Sequence, residues 1–115
     1  MKFKSLLVTT VIATTLMTAS TTANSANIAQ QLCEYVSVDD KKRMRSFLKT
    51  NKLKIRRVFN EIKCNGKNLL EFADARNATS VGELIIGKLP KKVVTSHIGS
   101  LQNVALKSKA DARTQ

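Results

Sequence analysis

The sequence predicts a small all-α domain of four to six short helices, stapled by one disulfide and preceded by a cleaved signal peptide. Helical spacing of apolar residues, two cysteines in one short domain and an export-like start support this prediction. At 115 residues, with 43% hydrophobic and 24% charged, the chain has room for one folded domain. We divide it into a signal peptide (1–26), a helical domain (27–106) and a frayed polar tail (107–115).

The N-terminal segment has the three parts of a secretory signal peptide. Two lysines near the start are followed by an apolar stretch at 5–17, which is shorter than the roughly 20 apolar residues that span a bilayer. Small residues then offer cleavage after Ala23 or Ala26. We therefore expect a periplasmic or secreted protein, and the alternative is an uncleaved membrane anchor.

Both cysteines, Cys33 and Cys64, belong to the predicted mature chain. An even number of cysteines in a small exported domain favours a disulfide, and closing a loop of about 30 residues would stabilise the fold by about 3.5 kcal/mol. The alternatives are two free buried thiols, a zinc site that includes His97, and a catalytic cysteine with His97 as base. No ligand spacing or activating neighbour supports the last two, so we predict the disulfide and neither metal nor cofactor.

The apolar pattern places a first helix near 27–36 and a second near 39–50, where Asp39 and Asp40 offer an N-cap. A third helix is expected at 53–63. The residues that should face inward from these helices are Ile28, Leu32, Tyr35, Val36, Met44, Phe47, Leu48, Ile55, Val58, Phe59 and Ile62.

The segment after the third helix contains Asn65-Gly66, a pair that favours either a hairpin turn or a helix end. Its flanks do not alternate as strands do, so we expect Gly66 to end the helix in the left-handed conformation. A fourth helix should follow at 67–76.

A capping box from Ser80 to Glu83 predicts the start of a fifth helix, which Pro90 ends. Gly82 and Gly87 should weaken that helix, since each costs up to about 1 kcal/mol relative to alanine. One last helix is expected after Pro90, followed by the frayed tail.

The net charge of +12 is the outlying feature of the composition. Two of these charges belong to the predicted signal peptide, and residues 41–67 carry eleven Lys and Arg against Glu61 alone. Because the apolar residues of helices two and three face inward, their cations should lie on outer faces. The candidate anion-binding residues are Lys41, Lys42, Arg43, Arg45, Lys49, Lys52, Arg56, Arg57 and Lys63.

This basic surface is either a merely solvated face or a binding site for an anion. Export argues against genomic nucleic acid, and the segment has few aromatic residues for base stacking. The expected partners are an anionic membrane surface, lipopolysaccharide or an acidic macromolecule. The alternative function is a protein-interaction or inhibitor module that uses an apolar groove between helices.

Nothing in the sequence indicates an enzyme. The chain has one histidine, no Gly-rich phosphate loop and no Gly-x-Ser-x-Gly nucleophile elbow. We therefore expect a non-enzymatic protein and assign no catalytic residue.

Four features occur in order along the chain: Leu32-Cys33, the basic run after Asp39-Asp40, Cys64-Asn65-Gly66 and Leu69-Leu70-x-Phe72-Ala73. Over about residues 30–90 this pattern resembles a family of small exported bacterial proteins of unknown function. The resemblance implies a small secreted or periplasmic domain with paired cysteines, and it implies no activity.

Overall fold

The fold is all-α in the residues that a computed structural model of the chain describes, 22–115. The elements are α1 (Thr22–Ser37), α2 (Lys41–Thr50), α3 (Ile55–Glu61), α4 (Leu69–Ala75), α5 (Thr79–Lys88), α6 (Lys91–His97), a 3-10 turn (Ile98–Ser100) and α7 (Val104–Thr114). The predicted fold class is confirmed. The expected number of helices is too low, because the chain after Pro90 forms two helices rather than one. Residues 1–21, which hold most of the predicted signal peptide, lie outside the described residues.

The core is organised around α5, which packs against α1, α2, α3, α4 and α7. Five of its ten residues are buried, on more than one side of the helix. A helix that is apolar on several sides has to be surrounded by others, which is why this segment becomes the centre of the domain.

The first three helices bury the stripes that their spacing predicts. The predicted inward residues that are fully or nearly buried are Leu32, Val36, Met44, Leu48, Ile55, Val58, Phe59 and Ile62. Tyr35 and Phe47 are half-buried and pack edge to face, with ring centroids 5.6 Å apart. The helical period therefore identifies the inner faces of α1, α2 and α3 correctly.

The disulfide joins Cys33 in α1 to Cys64 between α3 and α4, with the two Cα atoms 5.7 Å apart. This confirms the predicted pairing and leaves neither cysteine free. The bond closes a loop that contains α2 and α3. It therefore ties the basic segment to the rest of the domain at both ends.

The two aspartates between α1 and α2 cap two different helices. Asp40 caps α2, since its carboxylate accepts a hydrogen bond from the backbone N–H of Arg43 at 3.0 Å. Asp39, in the left-handed region with φ of 54°, accepts from the backbone N–H of Val81 at 2.8 Å, in the first turn of α5. The expected capping box at 80–83 is therefore wrong, because a distant aspartate supplies the acceptor that α5 needs.

Asn65 and Gly66 form a tight turn rather than a helix end. Both have positive φ, 52° and 77°, and the flanking Cys64 and Lys67 exchange two backbone hydrogen bonds of 2.7 and 2.9 Å. This is the pattern of a two-residue type I′ turn. α3 has already ended at Glu61, three residues before the turn begins. The left-handed conformation of Gly66 is therefore confirmed, and its predicted role as a helix cap is wrong.

The segment 107–115, expected to be a frayed tail, is mostly the helix α7. Leu106 and Ala110 lie one helical turn apart and are both completely buried. Asn103 caps the helix by accepting a hydrogen bond from the backbone N–H of Leu106. α7 packs against α5 and α6, and this short apolar pair contributes to holding it there.

The two glycines of α5 should respond in opposite ways to substitution by alanine. A Cβ on Gly82 would lie 2.8 Å from Cδ1 of the buried Leu106, whereas a Cβ on the exposed Gly87 would meet nothing within 4 Å. We expect G87A to stabilise the protein by up to about 1 kcal/mol. We expect G82A to destabilise it by about 1 kcal/mol, since overpacking costs more than the gain in helix propensity.

Urea unfolding of both variants beside the unmodified protein measures this difference. A G82A variant as stable as G87A would show that α5 and α7 do not approach each other as closely as the structure has them.

Candidate functional site

A groove of about 620 Å³ lies at the edge of the core, between α2, the start of α3 and the end of α5. We call it the basic groove. Its lining residues are Arg45, Leu48, Lys49, Leu53, Lys54, Ile55, Arg56, Leu84 and Lys88. They come from three helices and the connection between α2 and α3, so the groove exists only in the folded domain.

The floor of the basic groove is aliphatic. Leu48, Ile55 and Leu84 belong to the core and keep only 5 to 7% of their surface exposed, and Leu53 is half-buried beside them. These residues lie where the inner stripes of α2 and α5 reach the surface. The groove therefore offers apolar contact that continues into the core.

The rim of the basic groove is cationic. Arg45 and Lys49 lie one turn apart on α2, Lys54 and Arg56 flank the start of α3, and Lys88 ends α5. All five side chains are exposed. No Asp or Glu of the described residues lines the groove, so like charges converge there without a counter-charge.

Ion pairing inside the protein does not neutralise this rim. Within residues 22–115 the one side-chain ion pair joins Arg43 to Asp40 at 3.4 Å, outside the basic groove. Five cations around an apolar, low-dielectric floor create a positive potential that concentrates anions from solution. The groove is therefore built to attract negative charge.

The nine predicted anion-binding residues do not form one site. Arg45, Lys49 and Arg56 meet at the basic groove, while Lys42 and Arg43 lie across α2, beside Tyr35 and Phe47. Helical geometry explains the division, because the cations of α2 follow one another around the helix.

The four other predicted residues lie outside the basic groove. Arg57 lines a neighbouring depression that shares Arg56 with the basic groove and also contains Glu61. Lys41, Lys52 and Lys63 are absent from the groove lining. Charge density in the sequence therefore identifies the cationic segment, and only three of the nine candidate residues line the basic groove.

Two cations of the rim were not predicted as site residues. Lys54 belongs to the basic segment 41–67 but is not one of the nine candidates, and Lys88 lies outside that segment. The spacing of Leu84 and Lys88, one turn apart on α5, places both on one side of the helix. Only the tertiary structure shows that this side of α5 faces α2.

The described residues contain no group of three His, Cys, Asp or Glu side chains that could hold a metal ion. His97, considered above as a zinc ligand or a base, packs edge to face on Phe59 with ring centroids 5.5 Å apart. His97 thus makes a packing contact, and both cysteines are held in the disulfide. Among residues 22–115, no helix has the length and apolar character that crossing a membrane requires.

Fold and site together define a small helical protein that is closed by one disulfide and carries a cationic groove with an aliphatic floor. Residues 32–96 match the family described as protein of unknown function (DUF3718), and since this is more than half of the chain, the protein belongs to that family. The matched region contains both cysteines and the whole basic groove. Comparisons with curated proteins and with solved structures give no match.

Proposed function

We propose that this is an exported, non-enzymatic protein whose basic groove binds an anionic partner outside the cytoplasm, with the phosphate groups of an anionic membrane surface as the leading candidate. The observation that supports it most is the convergence of five cations from three helices and one connection on a single apolar-floored groove. A merely solvated basic coat would place its charges apart, where water and salt screen them.

The placement of charge on α2 also favours binding over solvation. Lys41, Lys42 and Arg43 occupy the first turn of this helix, where the helix dipole favours anions, and Asp40 alone offsets them. Departures from such a local preference, here cations at a helix N-terminus, occur mainly at functional sites.

Export is supported by two features. The N-terminal sequence has the parts of a signal peptide, and the Cys33–Cys64 bond is the kind that persists in an oxidising compartment. Phospholipid head groups and lipopolysaccharide phosphates are the abundant polyanions of such a compartment in bacteria. Each lysine or arginine near an anionic lipid surface contributes about 1 kcal/mol to binding.

The test is cosedimentation of the protein with vesicles of phosphatidylglycerol and phosphatidylcholine. We expect salt-dependent binding that R45E/K49E/R56E weakens by about a hundredfold, since three contacts of about 1 kcal/mol each are lost. The matched control is K52E/K63E/K67E, which makes the same change of charge outside both the basic groove and the first turn of α2. It should retain most of the binding.

Equal losses in the two variants would show a diffuse basic coat rather than a site at the groove. Binding that neither variant weakens would remove the proposal altogether.

A second candidate function, a protein-interaction or inhibitor module, is favoured by the aliphatic floor of the same groove. Leu48, Leu53 and Leu84 could receive an apolar anchor of a protein partner. An apolar contact of this kind persists at high salt, whereas binding to a charged surface weakens. A partner retained in high salt and lost in L53S would favour this function.

A further inference from the structure

We infer that the basic groove holds one amphiphilic phosphate, a phosphate monoester that carries a single hydrocarbon chain, as in lysophosphatidic acid. The phosphate lies on the cationic rim and the first part of the chain lies on the aliphatic floor. This inference rests on the proposed function and narrows its anionic partner to one chemical class.

The cationic rim and the aliphatic floor line the same groove. A hydrophilic polyanion such as an acidic polysaccharide would neutralise the rim but leave Leu53 and the small exposed parts of Leu48 and Leu84 in contact with water. An uncharged hydrophobic molecule would cover the floor but leave the rim cations without a partner. A molecule with an anionic head and an apolar chain satisfies both parts.

The cations of the rim favour phosphate as the head group. Arg45 and Arg56 carry planar guanidinium groups, which match the oxygens of a phosphate with two parallel hydrogen bonds. Lys49, Lys54 and Lys88 add three more positive charges around the same groove. This surplus suits an anion with more than one negative charge and several acceptor oxygens.

The shape of the groove favours one lipid molecule of an anionic surface, with its chain in the groove, over contact with the head groups alone. A volume of about 620 Å³ falls within the range of about 300–1,000 Å³ that is typical of small-ligand sites. The floor is recessed between α2, α3 and α5, and a flat layer of head groups touches only the rim of such a recess. A single chain can enter it.

The experiment measures the affinity of the full protein for methyl, butyl, hexyl and octyl phosphate below their micelle concentrations, by calorimetry. We expect each CH₂ that reaches the floor to tighten binding by about fourfold, until the floor is covered and the series levels off. Methyl NMR signals of Leu48, Leu53 and Leu84 should shift on titration with octyl phosphate. Those of Val93, outside the groove, should not.

Two variants separate the rim from the floor. R45E/K49E/R56E should abolish binding of every member of the series. L53S should weaken octyl phosphate at least tenfold and leave methyl phosphate unchanged. The matched control is I98S, another half-buried residue packed against the core, which should not alter either affinity.

Four other results would overturn the inference, and each has a different meaning. Equal, rim-dependent affinities for methyl and octyl phosphate would leave an anion site with no lipid specificity, and the proposed function would stand. Octyl glucoside binding as tightly as octyl phosphate would show an apolar groove that ignores charge. Displacement of octyl phosphate by an acidic leucine-containing peptide at lower concentration would favour a protein partner. Failure of the whole series together with failure of vesicle binding would remove both proposals.

Discussion

Removal of the Cys33–Cys64 bond is expected to lower the free energy of unfolding by about 3.5 kcal/mol. The two cysteines are 31 positions apart, and an open loop of that length gains much conformational entropy in the unfolded chain. The total stability of a domain of this size is on the order of 5–15 kcal/mol, so the loss is a large share of it.

Urea unfolding with and without a thiol reductant measures this contribution. The double variant C33S/C64S should be as unstable as the reduced protein, and reductant should not affect it further. A midpoint that reduction leaves unchanged would show that packing alone holds α1 against the turn at 64–67.

The same bond should influence the basic groove. The loop that it closes contains α2 and α3, which supply most of the groove, while α5 is held separately by the core. Reduction is therefore expected to weaken binding at the groove under conditions where the protein is still folded. The disulfide and the groove are linked because one covalent loop carries most of the rim.

The local helical structure follows from the sequence with little help from the rest of the fold. The period of 3.6 residues identifies which side of α2 carries Met44 and Leu48, because burial of an apolar stripe dominates the stability of a short helix. The same reasoning missed α7, whose stripe consists of Leu106 and Ala110 in an otherwise polar segment.

The helix caps show where local reasoning stops. Ser80 and Glu83 have the right spacing for a capping box, yet α5 begins at Thr79 and takes its acceptor from Asp39. The free N–H groups in the first turn of a helix need a hydrogen-bond acceptor, but that acceptor can come from any part of the chain. Asp39 lies 42 positions before Val81, so its role depends on how α1 and α5 pack.

The candidate site could be predicted only to the level of a segment. Charge counting finds residues 41–67, because eleven cations in so short a stretch must lie on the surface. A count of charges does not show that Arg45 and Arg43 lie on different sides of α2. It also does not show that Lys88 of α5 lines the same groove as Arg45. The groove is a property of three packed helices, and its residues are brought together by the core beneath them.

Replacement of Asp74 by alanine is expected to cost about 3 kcal/mol, the second large effect on stability. This carboxylate in α4 is only 9% exposed, and within residues 22–115 no cation pairs with it. It accepts hydrogen bonds from the backbone N–H of Gln102 at 3.0 Å and of Asn103 at 2.7 Å. Hydrogen bonds to a charged group are worth about 1.5–3 kcal/mol each, and the variant loses both.

These bonds hold the start of α7 against α4. Asn103 is the N-cap of α7, and its side-chain amide also donates to the hydroxyl of Thr79 at the start of α5. Asp74 therefore places a negative charge where the N-terminus of α7 favours one, and it fixes the residue on which the helix begins.

Urea unfolding and amide hydrogen exchange together test this role. D74A should lose about 3 kcal/mol of stability and expose the α7 amides to exchange before the α5 amides. D74N, which keeps one acceptor oxygen, should lose about half as much. D111A removes an exposed carboxylate from α7 itself and should change stability by less than about 0.5 kcal/mol. If D74A behaves like D111A, the start of α7 is held by Leu106 and Ala110 alone, and the buried carboxylate contributes nothing to it.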